Sequence, residues 1–232
     1  MNMADRKVIK QYSGTLGVSQ AAEGIAKALR NAQSLVEDAE LLFQNGRWAR
    51  ATALAILAIE EAGKPAVIRS VLLARDDSER REEWRAYRTH AKKNDMWILP
   101  DLFQKGARAL DDFQSVVDPE SDHPQVLDAV KQAAFYTDAY GTCHWSLPDE
   151  VIKEGFAKSM ILLARGFAKG EGALSSVEEL DIWVKHMRPV WKGEMWEMKQ
   201  ALAACYREAE ERGILRGRTT ASEMAKFLFG VE

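Results

Sequence analysis

A chain of 232 residues, 47% of them hydrophobic and 29% charged, has enough apolar material for one large domain or a compact domain with an extension. That composition excludes disorder as the main state. Its 32 basic and 35 acidic side chains leave a net charge of −3, which excludes a generally basic nucleic-acid coat and confines any RNA contact to a local basic patch. The six prolines and fifteen glycines are spread along the chain, so no low-complexity class arises.

Residues 1–18 read as a flexible leader. From Ser19 the apolar positions Ile25, Ala28, Leu29, Ala32, Leu35, Val36, Ala39 and Leu42 follow helical spacing. Asn45-Gly46 is a turn signal, and a second long helix is expected from Arg47 to Arg75, with its centre at Ala51 to Ala62 buried and, because Gly63 and Pro65 interrupt it, a kink near Glu61 to Lys64. Asp76-Asp77-Ser78 caps a charged helix from Glu79 to about Asn94, and Pro100 opens another over Asp101 to Val117. Further helices are expected from Gln125 to Tyr140 and from Pro148 to Gly170. Beyond Gly172 the capping boxes Ser176-x-x-Glu179 and Thr220-x-x-Glu223 announce an appended helical hairpin. No segment alternates like a strand for long. The expected fold is all-α, an antiparallel helical bundle over residues 19–170 with a C-terminal helical extension over 171–232.

Cys143 and Cys205 form no Cys-x-x-Cys pair, so neither a disulfide framework nor a zinc site is signalled, and a reducing cytoplasm is the expected compartment. The first seventeen residues contain no apolar core of a signal peptide, and no apolar run reaches the ~20 residues of a membrane span. Neither export nor a membrane anchor is expected.

Two stretches could carry chemistry. In Ala58-Ile59-Glu60-Glu61-Ala62-Gly63-Lys64 two adjacent carboxylates close a buried-looking helix face, pointing ~100° apart. A buried carboxylate needs a partner. Glu60 and Lys64 form an i,i+4 pair in the favourable order, whereas Glu61 has no local partner and should be met by a distant Arg, Lys or His. The cluster is then either a structural ion pair that fixes register or part of a functional pocket. The second stretch, Arg85 to Lys93, carries four cations, no acid and His90, and reads either as a phosphate grip or as a solvated basic face. On one straight helix Arg85 and His90 lie ~140° apart; they can cooperate only if the helix bends or ends between them, or if a second subunit supplies one.

A di-iron bundle is rejected because Glu60 and Glu61 lack the following Glu-x-x-His histidine, and Cys143-His144 lacks an orienting third group. The Trp and Met residues from Trp183 to Met198 recur at helical spacing, as in a core or an interface. No metal and no cofactor is expected.

Three elements in order, Ala58 to Lys64, His90-Ala91-Lys92-Lys93, and Phe135-Tyr136-Thr137-Asp138 with Trp145 and Pro148, resemble the AbiV family of abortive-infection proteins within the HEPN superfamily. The resemblance covers about residues 20–170. It implies a bacterial phage-defence protein built on a helical bundle, dimeric, in a superfamily that includes metal-independent ribonucleases carrying Arg, four to six residues, then His. Arg85-Ala86-Tyr87-Arg88-Thr89-His90 fits that spacing.

On that reading His90 is general base and acid on the 2′-hydroxyl and the leaving oxygen, while Arg85 and Lys93 hold the phosphate. Glu60, Glu61, Lys64, Arg88, Tyr136 and Asp138 form the supporting polar network. The alternative is a non-enzymatic interaction protein that binds a phage protein or a translation component, with the same polar residues fixing the fold. A nucleotide or nucleic-acid binder that grips without turnover is a third reading.

Overall fold

The computed structural model describes residues 10–89, 95–118, 120–170, 175–215 and 219–230. Two long helices, α1 (Val18–Gln44) and α2 (Trp48–Leu73), form its spine. The tight Asn45-Gly46 turn, with Gly46 at φ +70°, reverses the chain between them. Ala21 and Ile25 share a buried cluster with Ile68 and Leu72, whereas Val36 and Ala39 pack with Ala51 and Ala55, as an antiparallel pair requires. Alanine dominates both facing stripes, which lets the two backbones approach closely.

α2 is helical through Pro65, where the sequence suggested a kink. An interior proline costs ~3 kcal/mol; burial of Val67, Ile68, Val71, Leu72 and Leu73 beyond it outweighs that cost. The capped helix α3 (Asp77–Arg88) begins where expected, with Asp76 accepting from the amides of Ser78 and Glu79 at 2.8 and 2.9 Å. It ends at Arg88, and Thr89 is extended at φ −86°, ψ 129°.

The expected helix over 101–117 is divided. A 3-10 turn (Asp95–Ile98) leads into α4 (Leu99–Gln104), and Gly106 at φ +103° turns the chain toward a second 3-10 turn (Leu110–Phe113) and α5 (Gln114–Val117). α6 (His123–Phe135) stops five residues short of the expected end, and a hairpin of β1 (Asp138–Tyr140) and β2 (His144–Ser146) follows, in register Asp138↔Ser146. Strands of three residues are too short to show a two-residue period. The last bundle helix is also divided, into α7 (Pro148–Val151) and α8 (Glu154–Ala168), because buried Ile152 is extended and packs against Ala49, Ala53 and Ala134. α8 and α6 close the bundle core over α1 and α2 through Met160, Ile161, Ala164 and Leu127. The architecture is an all-α, HEPN-like bundle with one minute sheet among the described residues.

The C-terminal residues form three helices rather than a hairpin: α9 (Val177–Met187), α10 (Met195–Glu211) and α11 (Ala221–Phe229). Both predicted capping boxes are present, at Ser176 and Thr220. α9 lays Leu180 into the cluster of Ala21, Ile25, Ile68 and Leu72, and Phe227 of α11 reaches Phe113 at 5.8 Å. Among the described residues no helix is long and apolar enough to cross a membrane.

Candidate functional site

Thr52, Ile56 and Glu60 follow one another at four-residue intervals down the buried side of α2, so Glu60 is carried into the core and is only 3% exposed. Its Oε1 accepts from Lys131 Nζ of α6 at 2.5 Å, and the same ammonium lies 2.7 Å from Asp128. Burial opposes the charge on Lys131, but the hydrogen bonds to Asp128 and Glu60 outweigh it and hold the ammonium above its usual range. The sequence paired Glu60 with Lys64 and left Glu61 to a distant cation; the structure exchanges those partners. Lys131 was legible in principle, as a cation within the buried stripe of Leu127 and Ala134.

Glu61, ~100° further round α2, belongs to the half-buried stripe of Leu57 and Lys64. It is paired locally, with Lys64 Nζ 2.5 Å from its Oε1. Lys64 also stands 5.5 Å over the ring of Tyr87, which joins this end of α2 to the last turn of α3. Tyr87 meets Trp84 edge to face at 5.5 Å, and Trp84 meets Tyr12 in the same way at 5.8 Å. Trp84 Nε1 donates to the Gly14 carbonyl at 2.9 Å. Arg88 stacks over Trp84 and donates to the Tyr12 carbonyl at 2.5 Å. Residues 12–14 are thereby fastened to α3, which sequence reading missed because the anchors are aromatic rings and backbone carbonyls.

Two further cations of α3 are committed, Arg80 to Asp77 and Arg81 to the Asp77 carbonyl. Arg85 is exposed, and its guanidinium has no hydrogen bond or ion pair among the described residues. His90 and Lys93 lie outside the described residues. Tyr136 and Asp138 are placed elsewhere. Tyr136 follows α6 and is 62% exposed, and Asp138 opens β1 with its Oδ1 on the Ala139 amide. Arg50 donates to the neighbouring Phe135 carbonyl at 2.7 Å, and it precedes Glu60 by ten residues, ~15 Å of helix. Lys64, Glu61 and α3 are thus brought together, Glu60 turns inward to Lys131, and Tyr136 and Asp138 stand apart from both.

A family profile described as HEPN_AbiV, AbiV, matches residues 20–169, from the first turns of α1 to the end of α8. The chain belongs to the AbiV family of HEPN proteins. Neither the curated proteins nor the solved structures compared with it contain a match.

In this AbiV-family chain the matched span holds every candidate site residue, whereas α9 to α11 lie beyond it. Those helices nonetheless reach back. Lys192, at φ +58° in the turn before α10, bonds Glu82 at 2.7 Å and Glu83 at 2.9 Å on α3, and Arg188 donates to the Leu72 carbonyl at 2.7 Å. α3 is therefore held from three directions, by Lys64, by residues 12–14 and by Lys192. A rigid support of this kind is what a site built at the end of α3 requires. Among the described residues no three His, Cys, Asp or Glu side chains converge as a metal site would need.

Proposed function

We propose that this AbiV-family protein is an abortive-infection effector that cleaves RNA, with His90 moving the proton between the 2′-hydroxyl and the leaving oxygen and Arg85 holding the phosphate. A histidine titrates near neutrality and can both take and return a proton. One observation carries the reading: α3 ends at Arg88 and Thr89 is extended. The break falls between Arg85 and His90, so the ~140° separation of a straight helix no longer applies. Arg85 adds to it, being exposed and making no hydrogen bond or ion pair among the described residues, whereas Arg80, Arg81 and Arg88 of the same helix are bonded. Lys64 and Glu61 support the end of α3 through Tyr87, and Lys93 is the second phosphate ligand of the reading. The cytoplasm is the proposed compartment.

Purified wild-type protein incubated with total RNA, beside phage challenge of cells expressing it, tests the proposal. His90→Ala should abolish cleavage and protection with helicity unchanged. Arg85→Ala should reduce cleavage by about 10²–10³-fold, as loss of a transition-state donor does, with little change in melting temperature because the side chain is exposed and makes no hydrogen bond or ion pair among the described residues. Wild-type protein that cuts no RNA, together with full protection by His90→Ala, would leave the non-enzymatic reading, in which the bundle acts by occupying a phage or translation component.

A further inference from the structure

Arg85 has one carboxylate within reach along its own helix. Side chains three and four positions apart are neighbours on an α-helix; for Arg85 these are Arg81 and Glu82 behind it and Arg88 and Thr89 ahead. α3 alone would therefore pair Glu82 with Arg85, and a guanidinium so paired is partly lost to a phosphate. The structure pairs Glu82 elsewhere. Its Oε2 lies 2.7 Å from Lys192 Nζ, and Arg85 makes no hydrogen bond or ion pair among the described residues. The Glu82 carboxyl is held below its usual range first by the hydrogen bond from Lys192 and next by that ammonium's charge, with the charge of Arg85 a lesser influence.

Lys192 is placed by its own turn rather than by Glu82. It lies beyond the family match, between α9 and α10, at φ +58°. A lysine stays in that left-handed region only where its surroundings over-determine it. Here they do so: Arg188 donates to the Leu72 carbonyl near the end of α2 at 2.7 Å, the Gly193 amide donates to the Val190 carbonyl at 2.9 Å, and Trp191 packs into the cluster of Leu73 and Met187. The ammonium is then anchored 2.9 Å from Glu83, which is buried. Reaching the exposed Glu82 as well orders little more of the Lys192 side chain, whereas an Arg85 pair would have to order a long, free one. The anchored ammonium wins.

We propose that Lys192 is a positioning residue for the α3 site: by holding Glu82 it keeps the Arg85 guanidinium open to a phosphodiester, a role that rests on the reading of Arg85 as the phosphate ligand. Withdrawing Lys192 would also leave the charges of Glu82 and Glu83 uncompensated within one turn of Arg85, where they repel a polyanion. The C-terminal extension thereby becomes a condition of activity in the family-matched bundle.

Lys192→Met removes the ammonium, and Lys192→Gly removes it while suiting φ +58°, so at least one variant keeps the fold, as circular dichroism verifies. In the full chain the side-chain Nε–H signal of Arg85, assigned by its loss in Arg85→Lys, reads pairing, because a guanidinium bonded to a carboxylate exchanges that proton with water more slowly. Exchange should slow severalfold in either Lys192 variant and return to the wild-type rate when Glu82→Gln is added. Cleavage of single-stranded RNA should fall by about two- to tenfold, from the loss of Arg85 to one surface pair up to the added repulsion of two bare carboxylates. Glu82→Gln should raise cleavage more in the Lys192 variant than in the wild type, the non-additivity that marks coupled charges. If Lys192 only supports the fold, Glu83→Gln should instead repair both cleavage and melting temperature, and Glu82→Gln neither; that result overturns the proposal. So does an Arg85 signal, or a cleavage rate, indifferent to the loss of Lys192. Wild-type protein that leaves RNA intact while the Arg85 signal responds as expected overturns the cleavage reading instead, and retains the hold of Lys192 on Glu82.

Discussion

Lys131 Nζ and Glu60 Oε1 lie 2.5 Å apart with side-chain exposures of 6% and 4%, an ion pair sealed between α6 and α2. Removing one member of such a pair takes a partner from a buried charge, which costs up to about 3–5 kcal/mol, whereas replacing both with apolar groups of similar volume is often neutral. Lys131→Met should therefore lower the melting temperature by roughly 6–20 °C for a chain of this size. Glu60→Met/Lys131→Met should recover most of that loss, and thermal melts of the wild type, both single variants and the double variant give the coupling. Equal melting temperatures for Lys131→Met and the wild type would show that the pair does not hold the two helices in register.

The partner exchange at Glu60 and Glu61 marks how far sequence alone reaches. Periodicity located α1 and α2 nearly to the residue because alanine and leucine stripes repeat for more than twenty positions. It also identified Glu60-Glu61-x-Gly-Lys64 as a polar interruption, but which carboxylate turns inward depends on the helix phase against α6, and that phase is set by packing. The Asp76, Ser176 and Thr220 caps were readable because capping is local. The breaks at Gly106, Tyr136 and Ile152 were not, since the flanking residues continue a helical pattern. The tether of Lys192 to Glu82 and Glu83, about 110 residues apart in the chain, has no sequence signal at all. His90 and Lys93 were nominated from the motif, and their placement lies outside the described residues.

Acid should loosen the molecule at two carboxylates. Glu208 is held down to about 2, first by the hydrogen bond from Lys185 and then by that from His186. Glu79 is held down to about 2 by the side chain and then the backbone amide of Arg75. For a carboxylate depressed on folding, the unfolded chain takes up the proton first, so its stabilisation is complete above the ordinary value of 4.5 and is lost as pH falls toward about 2. The urea midpoint should stay level from pH 7 to about 5 on this account and then fall. Glu79→Gln/Glu208→Gln should start lower at neutral pH and fall less steeply. An acid limb of identical slope in wild type and variant would place the acid sensitivity in other groups.

The two capping boxes of the C-terminal region test burial against local geometry, because they share a motif and differ in surroundings. Glu223 is an exposed box residue, bonding the Thr220 amide at 2.8 Å. Glu179 makes the same reach to the amides of Ser175 and Ser176, at 3.0 and 2.9 Å, but is only 2% exposed. It also faces Arg69 of α2, whose guanidinium is pushed below its usual range by burial while Tyr206 and the Glu179 carboxylate oppose that shift. Loss of the exposed box residue costs little, whereas stranding donors beside the buried carboxylate's site and the half-buried Arg69 costs about 1–3 kcal/mol. Glu223→Ala should thus shift the urea midpoint slightly, and Glu179→Ala several times as far. Hydrogen exchange should rise at the start of α11 alone in the first variant, and through α9 and the end of α2 in the second, because Leu180 and Ile68 share one core cluster. Equal midpoints for the two variants would mean that Arg69 does not depend on Glu179 and that α9 is joined to the spine by its apolar contacts alone.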